Sequence, residues 1–153
     1  MYPLISQKYS DYIVFKKTFE LITRGDHLID TGWDKLLSIK ATINKGLSDE
    51  LIKTFPHIIA IKRPLVTFIK ITPEWFAGLT FGEGCFMVNI FKNSSQTKFK
   101  TMLIFKINQH VRDKVLLESF INFFNCGMVV KHFSNAVIYV VSNRSDINEK
   151  IIS

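Results

Sequence analysis

An α+β fold is predicted for this chain by three observations. Apolar residues recur at helical spacing through residues 1–54, a Thr-Pro-Glu helix start stands at Thr72, and β-rich runs separated by polar turn residues follow Gly84. In the second part the expected order is a helix, two strands, a helix and two more strands, so that four antiparallel strands share a sheet. The chain has 153 residues, 47% of them hydrophobic and 22% charged. That is enough to bury a sizeable core, and it excludes disordered, collagenous and disulfide-scaffold sequences.

The first helix is expected to begin with Ser10 as N-cap, to carry Tyr12, Phe15, Phe19 and Ile22 on one apolar stripe, and to end at Gly25-Asp26. A second starts at Asp30 or Thr31, carries Trp33, Leu36, Leu37, Ile39 and Ile43, and stops at Asn44-Lys45-Gly46, where glycine suits a left-handed cap. Ser48 caps a short third helix through Lys53. Residues 55–71 contain Pro56 and Pro64, the cations Lys62-Arg63 and no helical period, which reads as a connecting segment over a surface.

Thr72-Pro73-Glu74 then supplies a capping hydroxyl, a proline at N1 and a first-turn carboxylate. The helix it opens cannot run far past Gly82 and Gly84. Phe86 to Lys92, a polar turn around Asn93-Ser94-Ser95-Gln96, and Lys98 to Gln109 form a long hairpin pattern. Arg112 to Phe124 is helical, with Val115, Leu116, Phe120, Phe123 and Phe124 as its apolar stripe, and gives way at Asn125-Cys126-Gly127. Strands over Met128–Phe133 and Ala136–Ser142 follow, then a closing helix from Ser145-Asp146. Cys85 and Cys126 lack metal-ligand spacing and are expected as buried thiols. Nothing approaches the roughly 20 apolar residues that span a bilayer, and Met1-Tyr2-Pro3 lacks a secretory pattern, so neither membrane insertion nor secretion is expected.

The charge is uneven. Lys and Arg total 20 against 13 Asp and Glu, a formal +7. From Gly84 to His110 there are Lys92, Lys98, Lys100 and Lys106 and no carboxylate. Such a stretch marks a surface for phosphate, and these four lysines are the candidate nucleic-acid contacts. The alternative is a solvated strand edge guarded by lysines. Ile, Lys, Phe and Asn together fill 59 positions while Ala fills 4. Those four have A/T-rich codons, which points to an A/T-rich genome such as an organelle's.

The run Trp75-Phe76-Ala77-Gly78-Leu79-Thr80-Phe81-Gly82-Glu83-Gly84-Cys85-Phe86 resembles the signature helix of LAGLIDADG homing endonucleases, in the WxAGxxxGEGxF form of two-repeat mitochondrial members. Upstream, YPLISQKYSDY, SIKATINKGLSDELIKTFP and IKRPLV resemble the end of that family's first repeat and its inter-repeat link. The resemblance therefore covers essentially the whole chain. It implies helices of a first repeat over 1–54, a connection over 55–71, and a second repeat over 72–153 lacking its last helices.

The resemblance also implies roles. Ala77, Gly78 and Gly82 would let two signature helices approach closely. Glu83 would be the carboxylate that, with a second one, holds divalent metal beside the scissile phosphates, Mg2+ in a catalytic form. Lys8 and Gln109 match a lysine and a glutamine of the family's active-site pocket. Only one signature helix and one such carboxylate are present, so a pair requires self-association, a complementary fragment or a longer protein.

In the family the sheet presents polar residues to the DNA groove. Here the expected groove-facing set is Met87, Asn89, Phe91, Lys98, Lys100, Met102, Ile104, Lys106, Met128 and Ile138, six of them large and apolar. The function expected from this combination is a LAGLIDADG-derived nucleic-acid-binding protein, inactive alone. It would serve as a structural or RNA-binding component of a mitochondrial ribosome or group I intron particle. Structured RNA is then favoured over duplex DNA, with a complementary LAGLIDADG fragment or other protein as partner and no membrane. The competing expectation is part of a site-specific, divalent-metal-dependent DNA homing endonuclease.

Overall fold

The computed structural model describes residues 5–43, 45–66, 70–92 and 99–152. Lys98, Pro3 and the expected polar turn at 93–96 lie outside the described residues. The chain divides into two compact units, Pro3–Thr67 and Phe68–Ser153. Among the described residues no helix is long and apolar enough to cross a membrane.

The first unit contains α1 (Lys8–Thr23), α2 (Asp30–Thr42) and α3 (Asp49–Thr54). Gly25 follows the end of α1 at φ 73°, the left-handed region in which glycine avoids the Cβ penalty, whereas α2 already stops at Ile43, whose backbone is extended (φ −106°, ψ 156°), ahead of the expected Gly46. The Ser48 hydroxyl accepts from Leu51 N–H and caps α3. At α1 the expectation fails twice. The helix starts at Lys8, two residues before Ser10, and Ser10 lies fully buried on its inner face.

The buried stripe of α1 is Ser10, Val14 and Leu21, whereas Tyr12, Phe15, Phe19 and Ile22 are exposed. The helix carries apolar residues on two faces, and contact with α2 buries only one of them. Val14 and Leu21 pack with Ile39, flanked by Ile43 and Ile61. The connecting segment is more firmly held than a surface linker: Ile61 N–H donates to Ser38 O. Arg63 reaches the Thr42 carbonyl at 3.0 Å and the Asp11 carboxylate at 2.9 Å.

The second unit opens with α4 (Pro73–Glu83), capped by the Thr72 hydroxyl accepting from Trp75 N–H at 3.3 Å. It then runs through β1 (Gly84–Lys92), β2 (Phe99–His110), α5 (Lys114–Phe124), β3 (Met128–His132) and β4 (Ala136–Val141) to a helical end, Arg144–Asp146 and Ile147–Ile152. The four strands form one antiparallel sheet in the order β1-β2-β4-β3.

Both helices lie on one side of the sheet. Phe76 of α4 meets Phe105 at a ring separation of 6.2 Å, and Phe120 of α5 meets Tyr139 at 5.5 Å. Phe105, Ile107, Val137, Tyr139 and Val141 are the buried residues of that face. Val115 and Phe123, expected on the buried stripe of α5, are exposed, and Leu117 is buried instead. Asn125 (φ 49°) and Gly127 (φ 78°) turn the chain from α5 into β3. A Cβ on Gly127 would stand 2.6 Å from the Tyr139 ring, so the position tolerates only hydrogen.

Candidate functional site

Strand parity places every side chain of the sheet on one of two faces, because directly paired residues of antiparallel strands point the same way. Pairing of Phe86 with Phe105 and of Ile107 with Tyr139 defines the helix side. The opposite, open face therefore carries Cys85, Met87, Asn89 and Phe91 of β1, and Lys100, Met102, Ile104, Lys106, Asn108 and His110 of β2. Ala136, Ile138 and Val140 of β4, and Met128, Val130 and His132 of β3, complete it. All the described members of the expected groove-facing set fall on this face. Cys85, expected buried, is partly exposed here, while Cys126 is buried.

None of the four strands contains an Asp or Glu. The open face is thus apolar and cationic. Of the candidate lysines, Lys100 and Lys106 stand on it, opposite Phe91 and Cys85. Lys92 pairs with Phe99 and stands on the helix side. Asn108 is not among the residues expected at the site. It shares the open face with Lys106 and Ile138, and its buried side-chain oxygen has no hydrogen-bond partner among the described residues. Parity counted from Phe105 was the signal that could have found it.

Glu83 is the last residue of α4 and is half-buried. Gly84 N–H closes the helix onto Thr80 O, and a Cβ on Gly84 would lie 2.4 Å from that oxygen. Glycine at 84 therefore lets the helix end turn directly into β1 and sets the carboxylate at the junction of helix and sheet. Gly84 pairs with Ile107, two residues before Gln109, so the Gln109 end of β2 runs beside the same junction. Gln109 itself pairs with Val137, on the helix side. Lys8 is exposed at the first residue of α1, in the other unit.

Cβ atoms at Gly78 and Gly82 would meet nothing within 4 Å among the described residues. Among the described residues no packing requires their bareness, and beside them Phe81 is 95% exposed. Among the described residues no three His, Cys, Asp or Glu side chains gather as a metal site. A small hard cation such as Mg2+ takes about six oxygen ligands. Glu83 alone thus suits a cation shared with other donors but does not complete its shell.

Residues 76–153 match the family described as LAGLIDADG endonuclease. The chain is 34% identical over 158 residues to "Probable intron-encoded endonuclease 2" of Neurospora crassa, covering 95% of this chain and 34% of that protein. Its fold superposes on the I-LtrWI LAGLIDADG homing endonuclease bound to target DNA with a TM-score of 0.92 and 42% identity, covering 99% of this chain and 51% of that one. The same holds for I-SmaMI bound to an uncleaved DNA target in the presence of calcium ions, at TM-score 0.93 and 41% identity over 99% of this chain and 52% of that one. This chain thus spans about half the length of the solved relatives and about a third of the fungal one. The expectation of structured RNA ahead of duplex DNA is overturned, because these structural relatives are endonucleases held on DNA.

Proposed function

Since this chain belongs to the LAGLIDADG endonuclease family, we propose that it is one part of a site-specific, divalent-metal-dependent DNA homing endonuclease, supplying one metal-holding carboxylate and one half of the DNA-reading surface. Residues 72–153 act as the second repeat, residues 1–54 as the end of the first, and residues 55–71 as their connection. The observation that carries the reading is the junction at Glu83-Gly84. There a helix with a bare Gly78/Gly82 face delivers a carboxylate at the start of a sheet that has lysines and no acids.

Each residue has a distinct task in this reading. Gly78 and Gly82, with Ala77, admit a second signature helix, which brings a second carboxylate beside Glu83. Glu83 and the second carboxylate would together hold a divalent metal, which would supply an activated water and charge stabilisation at the scissile phosphate. Gln109, at the strand end beside the Glu83 junction, shapes the pocket around the attacking water. Lys100 and Lys106 hold phosphates and set the register of the duplex. The DNA reading also accounts for the open face better than an RNA-binding role, because a sheet face enters a major groove and cannot enter the deep, narrow one of A-form RNA. Intron-encoded relatives and A/T-biased composition support an organelle-encoded, mitochondrial protein.

The deciding experiment mixes the chain with a second polypeptide carrying the complementary signature helix, magnesium and a duplex pool. Expected is cleavage at one sequence that Glu83→Gln abolishes while duplex binding persists. Cleavage unaffected by Glu83→Gln, or tighter binding to structured RNA than to any duplex, would overturn the reading.

A further inference from the structure

The apolar open face looks ill suited to reading bases, since methionine and isoleucine offer base edges neither a strong donor nor a strong acceptor. Resting on the DNA reading above, we propose that Met87, Met102 and Ile104 recognise thymine through its C5 methyl group, so that the target beneath this hairpin is a short run of A·T pairs.

From hairpin base to tip, the paired residues of the open face are Cys85 with Lys106, Met87 with Ile104, Asn89 with Met102, and Phe91 with Lys100. Met87 and Ile104 face each other directly, at roughly 5 Å between Cβ atoms. Met102 follows Ile104 on the same face after about 6.8 Å of strand. That length matches about two base-pair steps at roughly 3.4 Å each. The three side chains therefore form one apolar patch over two to three successive base pairs. Lys106 and Lys100 bracket it along β2, placed for phosphates on either side.

Met102 is 39% exposed and Met87 and Ile104 are half-buried, so all three reach the surface. In the major groove the one base feature that an apolar side chain complements is the thymine methyl. A G·C pair and an A·T pair both present polar groups there, but the G·C pair has no methyl, so covering it with the patch brings no apolar contact in return. Asn89, opposite Met102, is the one amide on the open face between the bracketing lysines, and a side-chain amide suits the adenine edge. Methyl contacts and an adenine contact at adjoining positions specify the same composition.

Deoxyuridine tests this cleanly, since it keeps every hydrogen-bonding group of thymidine and lacks only the methyl. The full chain is used to select from two randomised duplex pools, one built with thymidine and one with deoxyuridine. From the thymidine pool a run of A·T pairs is expected. The selected duplex remade with deoxyuridine inside the run should bind about fourfold more weakly per buried methyl. Deoxyuridine outside the run should change nothing. Met102→Gln and Ile104→Gln, both at surface positions, should each lose part of the discrimination. A selected sequence whose affinity ignores the methyls, or discrimination that survives both substitutions, overturns methyl recognition while leaving the endonuclease reading intact. Absence of any duplex preference overturns both.

Discussion

Replacing Lys100 and Lys106 together by alanine should weaken duplex binding in a manner set by which face of the sheet they occupy. Both lie on the open face of β2, whereas Lys92 and Lys131 stand on the helix side, opposite Phe99 and Val137. Each phosphate neutralised on B-DNA adds about 0.9 to the slope of log affinity against log salt. Loss of two contacts should therefore lower the slope by about 1.8. Between about 50 and 200 mM salt, a fourfold change, the advantage of the unaltered chain over the double variant should shrink by about 12-fold. Fluorescence anisotropy with a labelled duplex at four or five salt concentrations measures both slopes. Lys92→Ala with Lys131→Ala is the matched control, removing equal charge from the other face, and should leave the slope nearly unchanged. If the control lowers the slope as much as the open-face pair, binding follows net charge alone, and the assignment of the open face to DNA is refuted.

The remaining predictions concern the framework behind that face. Gly84→Ala places a Cβ 2.4 Å from Thr80 O; it should cost about 1–3 kcal/mol in denaturant unfolding and impair cleavage, because Glu83 must shift with the helix end. Gly78→Ala meets no atom of the described residues within 4 Å, so it should stabilise the isolated chain by about 0.5–1 kcal/mol through helix propensity, while cleavage with the complementary half falls. A gain or no change in cleavage would show that Gly78 does not face another helix. The fully buried Tyr139 donates to Cys126 O at 3.0 Å, and burial pushes its phenol far above the usual value of 10.0. Tyr139→Phe should cost about 1–3 kcal/mol at neutral pH. Above pH 10 the unfolded chain's tyrosine ionises while the buried one keeps its proton, so the wild type loses up to about 1.4 kcal/mol per pH unit. Urea unfolding should accordingly show the gap between the two proteins narrowing by about that much near pH 11, and a constant gap would contradict it.

Capping and breaking signals are local, and they placed the ends of most elements. Thr72-Pro73-Glu74 started a helix where expected, and Gly82-Glu83-Gly84 ended it, because a cap hydroxyl, a proline φ and an absent Cβ act within one turn. The alternating parity of β1 and β2 was also legible: once Phe105 and Ile107 were assigned to the core, every other strand position followed. Which nucleic acid the open face meets was not legible there, because apolar residues tell only which hydrogen bonds they cannot make; the DNA-bound relatives decide against structured RNA.

What the sequence determined by itself was therefore the inventory of helices and strands, the carboxylate at a helix terminus and the acid-free lysine stretch. Only the tertiary structure decided which of two apolar stripes on α1 is buried, since Val14 and Leu21 are no more hydrophobic than Phe15 and Phe19 and the choice rests on where α2 lies. It likewise separated Lys92 from Lys100, and tied the connecting segment to α1 and α2 through Arg63 and Ile61. Periodicity tells which residues share a face, but the face that turns inward is chosen by contact with an element distant in the chain, and that contact has no signature in the local sequence.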